Sequence, residues 1–132
     1  MPPDISKEHA VETYKSLISI SVEGMKLLAL LNGGAAVAIL AYLGNALGKT
    51  TPIPDMRGAM AGYLSGLFLC GVAFFASYMT QLRLYEASVH GRPLRDYERW
   101  MRTAIIVCLL SLAAFVAGSA WAVWRFTIPA SN

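Results

Sequence analysis

Charged side chains are scarce in this sequence of 132 residues. They make up 14% of the chain, against about 25% in a soluble domain. Hydrophobic residues make up 56%, and the mean hydropathy is +0.50. This balance excludes a disordered protein and argues against a soluble globular domain. The chain is also too short for two ordinary domains, so we expect a single unit.

Cysteine is nearly absent, and this limits the chemistry as well. Two cysteines, Cys70 and Cys108, cannot build a disulfide framework, and the sequence has neither a CxxC motif nor a Cys/His cluster that would suggest zinc. If the chain forms helices that cross a membrane, the two cysteines would lie about 8 Å apart along the membrane normal, which is beyond the usual reach of a disulfide. We interpret both as small packing residues.

The few charged residues are clustered, and three long stretches contain none. They are Leu27–Leu47, Ala59–Thr80 and Thr103–Trp124, of 21, 22 and 22 residues. As a helix, each stretch would extend roughly 31–33 Å, enough to cross a hydrocarbon core of about 30 Å. A soluble protein of this size could not bury three such segments. We therefore predict an all-α integral membrane protein with transmembrane helices at 27–47, 59–80 and 103–124.

The distribution of Lys and Arg predicts an orientation. Segments 1–26 and 81–102 together carry eight, whereas segment 48–58 and the C-terminal tail carry three. The positive-inside rule then places the N-terminus in the cytoplasm and the C-terminus outside. No cleavable signal peptide is expected, and the predicted location is a bacterial inner membrane. The positions of the aromatic residues agree with these spans, because Trp and Tyr favour the membrane interfaces. The inner interface would contain Tyr78, Tyr85 and Trp100, and the outer one would contain Tyr42, Tyr63, Trp121 and Trp124.

The segments on the cytoplasmic side are predicted to be helical too. The second span is expected to continue to Val89 and stop at 90–93, where Pro93 can open the next helix. We therefore expect a cytosolic arm at 1–26 and a cytosolic helical hairpin at 81–102, which together form a short stalk. The alternative is that the N-terminal helix lies in the interface plane. Apolar residues recur along that helix at Val11, Tyr14, Ile18, Val22 and Met25.

A basic cluster lies in the predicted hairpin, at Arg92, Arg95, Arg99 and Arg102. Its functional interpretation is contact with anionic lipids or with an acidic partner. The alternative is that these arginines only enforce topology and pair along the helix, for example as Glu98–Arg102. A net charge of +3 on such a chain gives no reason to expect nucleic-acid binding.

The predicted spans contain no Asp, Glu, Lys, Arg or His. Proton relays and charged substrate sites in membranes depend on such residues. Haem ligands of the histidine type are also missing from the spans, because His9 and His90 both lie outside them. No base is predicted within reach of a Ser, Thr or Tyr nucleophile. We therefore predict a protein that is not an enzyme, with no catalytic residues, metal or cofactor.

Small residues recur at helical spacing in every span. Gly58, Gly62 and Gly66 form a GxxxGxxxG run, a glycine zipper. In lipid, small residues let helices approach closely enough for van der Waals contact to hold them together. Three helices of one chain need only some of these faces, so we expect the others to contact further subunits. The third span carries Ala114, Gly118 and Ala122. The first carries Gly34 and Ala38 on one ridge, and also Ala29, Gly33 and Ala41.

Asn32 is the one strongly polar side chain well inside a span, next to Gly33 and Gly34. An asparagine there can form a hydrogen bond with a neighbouring helix. The neighbour can belong to another subunit or to the same chain, and the sequence leaves both open. The paired glycines permit a close approach or a bend.

The segment 116–124 resembles the last helix of the small three-span subunit of bacterial haem–copper quinol oxidases. The resemblance covers nine residues, and it implies the same topology and an accessory role. The second span departs from the resemblance, because it lacks the histidine-bearing pattern expected of that family. Nine residues do not establish that the chain belongs to that family.

The sequence therefore predicts a non-enzymatic small membrane protein that acts through helix–helix association. It would be a subunit or scaffold of a membrane complex, either a homo-oligomer or an accessory subunit among other membrane subunits. The alternative is an oligomeric, holin-like pore, although the spans offer few polar groups to line water. A third interpretation is a membrane-bound signalling protein that binds partners through segment 1–26 and the basic hairpin.

Overall fold

The computed structural model describes residues 4–47, 49, 53–90 and 95–127, with the side chains of all of these except 4–7, 10, 95 and 96. The chain folds into three helices in this part. They are α1 (Asp4–Ala46), α2 (Arg57–His90) and α3 (Arg95–Thr127). The predicted break at 90–93 begins where α2 ends, and Pro93 itself lies outside the described residues.

All three helices are long and apolar enough to cross a membrane, over Val11–Ala46, Arg57–His90 and Tyr97–Thr127. At about 1.5 Å per residue the helices extend roughly 64, 51 and 50 Å, well beyond a hydrocarbon core of about 30 Å. Many large apolar side chains on them, such as Leu30 and Phe68, are exposed on the outside of the bundle. The prediction of an all-helical chain with three membrane-compatible helices is confirmed.

Helix α2 lies at the centre of the bundle. It has its larger interface with α3 and a smaller one with α1, and α1 and α3 touch least. One apolar cluster joins Ile39 to Ala59 and Tyr63, and a second joins Met25 to Cys70 and Ala73. Since the order along α1 is reversed along α2, the two helices run antiparallel.

In each of the three helices, one series of buried residues recurs every seven positions. This spacing is typical of left-handed helix packing, in which helices cross at about +20° and the same stripe stays in contact over many turns. Small or polar residues occupy most of these positions, so the helices can approach closely. The buried series are Met25, Asn32 and Ile39 on α1, Ala59, Gly66, Ala73 and Thr80 on α2, and Ala104, Ser111 and Gly118 on α3.

The start of α2 is held by local hydrogen bonds and by α3. Asp55 accepts a hydrogen bond from the backbone N–H of Arg57 (3.1 Å), and the N–H of Met60 closes the first turn on the carbonyl of Met56 (2.9 Å). A short polar side chain just before a helix satisfies donors that the helix leaves free. The same carboxylate lies 3.9 Å from the guanidinium of Arg125, near the end of α3.

The backbones of α2 and α3 touch near Gly62 and Gly118. A methyl group added at Gly62 would lie 2.9 Å from the Cα of Gly118 and 3.2 Å from the backbone oxygen of Ala114. A methyl group at Gly118 would lie 3.1 Å from the backbone oxygen of Ala59. Backbone atoms cannot rotate away as a side chain can, so this contact requires glycine on both helices.

We predict that Gly62→Ala destabilises the bundle by about 1–3 kcal/mol, because the added methyl group must push two backbones apart. Gly71→Ala on the same helix is the matched control, since a methyl group there meets nothing within 4 Å. Unfolding of both variants in a mild detergent, titrated with SDS and followed by circular dichroism, measures the difference. Equal midpoints for the two variants would contradict the close approach of α2 and α3.

Candidate functional site

A small polar cluster lies at the centre of the bundle and links all three helices. It consists of Asn32 on α1, Ser111 on α3 and the backbone of Gly66 on α2. The two side chains are completely buried, with 0% of each exposed. Asn32 donates from Nδ2 to the carbonyl of Leu28 (3.0 Å) and to Ser111 Oγ (3.4 Å), and Ser111 donates to the carbonyl of Gly66 (2.8 Å). Asn32 therefore bonds within its own chain.

The amide of Asn32 lies directly over the Cα of Gly66. A methyl group at Gly66 would overlap with Oδ1 of Asn32 and come within 2.6 Å of its Cγ. Oδ1 is buried and has no hydrogen-bond donor among the described residues. Oδ1 therefore occupies the space that a Cβ at position 66 would need. A larger residue at 66 would displace the amide.

The glycines of the GxxxGxxxG run lie at contacts within the chain. A methyl group at Gly58 would meet the indole ring of Trp121 at 2.6 Å, and Gly62 and Gly66 approach Gly118 and Asn32 as described above. Gly34 differs, because it is exposed and a methyl group added there would meet nothing within 4 Å. The structure thus places five of the six predicted packing residues at internal contacts and Gly34 on the outside.

The four predicted arginines have different placements. Arg92 lies outside the described residues, and Arg95 begins α3 with a side chain that is also outside them. Arg99 and Arg102 are exposed on α3, and Arg102 lies 3.7 Å from Glu98. The Glu98–Arg102 pair expected from the sequence is present. An exposed i,i+4 pair of this kind contributes only about 0.3–0.5 kcal/mol.

The sequence analysis assigned no role to Ser111. The seven-residue spacing of Ala104, Ser111 and Gly118 is the signal that would have placed Ser111 in the interior. It also missed the hydrogen bond between Tyr63 and the hydroxyl of Ser119, at 3.1 Å across α2 and α3. Both contacts join different helices, and neither is apparent from a single span.

Both cysteines are free thiols, and Cys70 donates a hydrogen bond to the carbonyl of Met25 at 3.2 Å. The thiol therefore joins α2 to α1. Within the described ranges, no group of three or more His, Cys, Asp or Glu side chains is arranged to hold a metal ion. The chemistry that the buried side chains offer is hydrogen bonding between helices.

We predict that Ser111→Ala lowers the stability of the bundle by about 0.6–1.7 kcal/mol, from the average to the maximum of double-mutant cycles on hydrogen bonds between membrane helices. The substitution removes the acceptor of one of the two hydrogen bonds of Asn32 Nδ2, which keeps its bond to the carbonyl of Leu28. It also removes the donor to the carbonyl of Gly66. Ser65→Ala, at an exposed position of α2, is the control. Unfolding with SDS in mixed micelles measures both, and an equal effect at Ser65 would count against the cluster.

We also predict that Gly66→Ala is destabilising. Adding Asn32→Ala largely relieves this effect, because the atoms nearest to the new methyl group all belong to the amide that the second substitution removes. A double-mutant cycle on the free energy of unfolding measures the coupling, which contacting residues show at about 0.5–3 kcal/mol. Gly118→Ala combined with Asn32→Ala is the control cycle, since Gly118 contacts Ala59 and Tyr63 instead. Additive effects at Gly66 would show that the amide does not lie over it.

The comparisons with known proteins give no family. No family model matches the chain, and no curated protein or solved structure matches it. What can be said of the site therefore comes from its own residues. These are a hydrogen-bonded centre at Asn32 and Ser111, close contacts at the glycines, and outward faces that carry exposed apolar side chains. The chain is an all-helical protein with three helices suited to a membrane.

Proposed function

We propose that this chain is a non-enzymatic subunit or scaffold of a membrane complex and that it associates through the outer face of α1. The observation that supports the proposal is the exposure of Gly34, Ala38 and Ala41, which follow one another at helical spacing on that face. Small residues on an open face allow another helix to approach closely in lipid. The glycines of α2, by contrast, already contact the chain's own helices.

The position of α1 in the bundle supports the same proposal. Helix α1 has its main interface with α2 and only a small one with α3. In its most apolar window, 11% of the residues are buried, compared with 33% in α2. Most of the surface of α1 is therefore free to meet lipid or another subunit.

We further propose that the N-terminus faces the cytoplasm of a bacterial cell, as the Lys and Arg distribution favours. The N-terminal part of α1 and the C-terminal part of α2 would then form the cytosolic stalk. A hydrogen bond from the hydroxyl of Tyr14 to Oε1 of Gln81 (2.8 Å) supports the stalk, because it ties α1 to α2 beyond the charge-free stretches.

The polar side chains favour a subunit over a pore. Asn32 and Ser111 bond to each other, and Ser119 bonds to Tyr63. Ser77 is half-buried beside Met25. These groups are engaged inside the chain, so they are poorly placed to line a water path between copies.

We predict that the particle extracted in a mild detergent exceeds the 14.3 kDa of one chain, and that Gly34→Leu reduces it to a single chain. The Leu side chain would block the close approach of a partner, and its Cβ would have no neighbouring atom of the chain within 4 Å. Gly71→Leu on α2 is the control, because that position is equally open. Light scattering coupled to size exclusion, with subtraction of the detergent, measures the mass.

Four outcomes would contradict this proposal. A wild-type particle with the mass of one chain would exclude stable association. An unchanged mass for Gly34→Leu, or an equal loss for Gly71→Leu, would show that the face of α1 is not the interface. Rapid release of a trapped dye from vesicles that contain the wild-type chain would favour the pore instead.

A further inference from the structure

A cleft lies between α2 and α3, close to the ends that residues 91–94 connect. It has a volume of about 360 Å³ and is lined by Arg83 on α2 and by Arg99, Trp100 and Thr103 on α3. The charge-free stretches of these helices end at Thr80 and begin at Thr103. The cleft therefore lies at the boundary between the apolar and the charged parts of the bundle, where the headgroups of a bilayer would be.

The cleft is positively charged. Arg83 and Arg99 each contribute a guanidinium, which stays protonated in proteins. Arg83 forms an ion pair with Glu86 at 2.9 Å, but its Nε atom is buried and has no hydrogen-bond acceptor among the described residues. No ion pair joins Arg99 to a described carboxylate. Among the described residues, two cations thus line the cleft, and one of them is paired with Glu86.

The remaining walls limit what can donate to a ligand. Trp100 packs edge-on against Phe75 of α2, with ring centroids 6.3 Å apart, and gives the cleft an aromatic side. The hydroxyl of Thr103 donates to the carbonyl of Arg99 at 2.8 Å, so it is not free to donate to an anion. Among the described lining residues, the side-chain donors left for a bound anion are the guanidinium groups of Arg83 and Arg99 and the indole N–H of Trp100.

We propose that this cleft binds the phosphate-bearing headgroup of an anionic phospholipid. The fork of an arginine matches the oxygens of a phosphate, and basic pockets between transmembrane helices are suited to such headgroups. The exposed residues Ile106 and Leu110 continue from Thr103 along the same face of α3. They offer an apolar surface on which acyl chains can lie, which favours a lipid over a free phosphate ion.

The site differs from the basic cluster that the sequence suggested. Of the cluster's described side chains, Arg99 lines the cleft and Arg102 does not, and the other described cation of the cleft, Arg83, comes from the neighbouring helix. The proposal concerns a lipid bound by one chain, so it holds whether or not the chain assembles with other subunits.

The test is native mass spectrometry of the detergent-purified full chain, titrated with phosphatidylglycerol or with phosphatidylcholine that carries the same acyl chains. We expect the first phosphatidylglycerol to bind more tightly than phosphatidylcholine. We expect Arg83→Gln and Arg99→Gln each to weaken that first site about fivefold, the scale of one basic residue near an anionic lipid surface. Arg102→Gln is the matched control, because Arg102 is exposed on the same helix and lies outside the cleft.

The control variant and the second lipid distinguish a defined binding site from general electrostatic attraction between the chain and anionic lipid. An equal loss for Arg102→Gln, or no preference for phosphatidylglycerol over phosphatidylcholine, would overturn the proposal. Displacement of phosphatidylglycerol by millimolar inorganic phosphate would assign the cleft to the free ion instead. Because Arg83→Gln also breaks the pair with Glu86, a failure of that variant to fold would leave Arg99→Gln, which does not touch this pair, to decide the result.

Discussion

The structure depends on one constraint, which is that lipid supplies no hydrophobic force to hold apolar helices together. Helices in a bilayer are held by close contact between their surfaces and by hydrogen bonds between them. The chain meets this constraint with backbone contact at Gly62 and Gly118, and with the bonds of Asn32 and Ser111 at the centre. Large apolar side chains are accordingly turned outwards, where a soluble protein would bury them.

The four-residue spacing of its glycines explains why α2 can contact two helices at once. On this helix Gly62 approaches α3, whereas Gly66, one turn further, lies against Asn32 of α1. A run of glycines four apart turns gradually around the helix, so its members reach different neighbours. The run is therefore shared between two interfaces within one chain, and it does not form a single face for an external partner.

This packing leaves open the outer face of α1 and a cleft between α2 and α3. The outer face of α1 is open because α1 has its main interface with α2 alone. The cleft between α2 and α3 is lined by bulky or charged side chains, at Arg83, Arg99 and Trp100, where the small residues of the interior have ended. One surface suits another helix, and the other suits an anionic headgroup, because their chemistry differs in charge and in side-chain size.

The sequence by itself determined the three helices, since the length and charge content needed to cross a bilayer are local properties of each segment. It also predicted Asn32, Gly62 and Gly66 as packing residues, because small and polar residues stand out in an apolar helix. Only the tertiary structure decided that Gly66 faces Asn32, that Ser111 completes the polar cluster, and that Arg83 and Arg99 share a cleft. The periodicity of one helix defines its faces, but the partner of each face depends on how all three helices pack together.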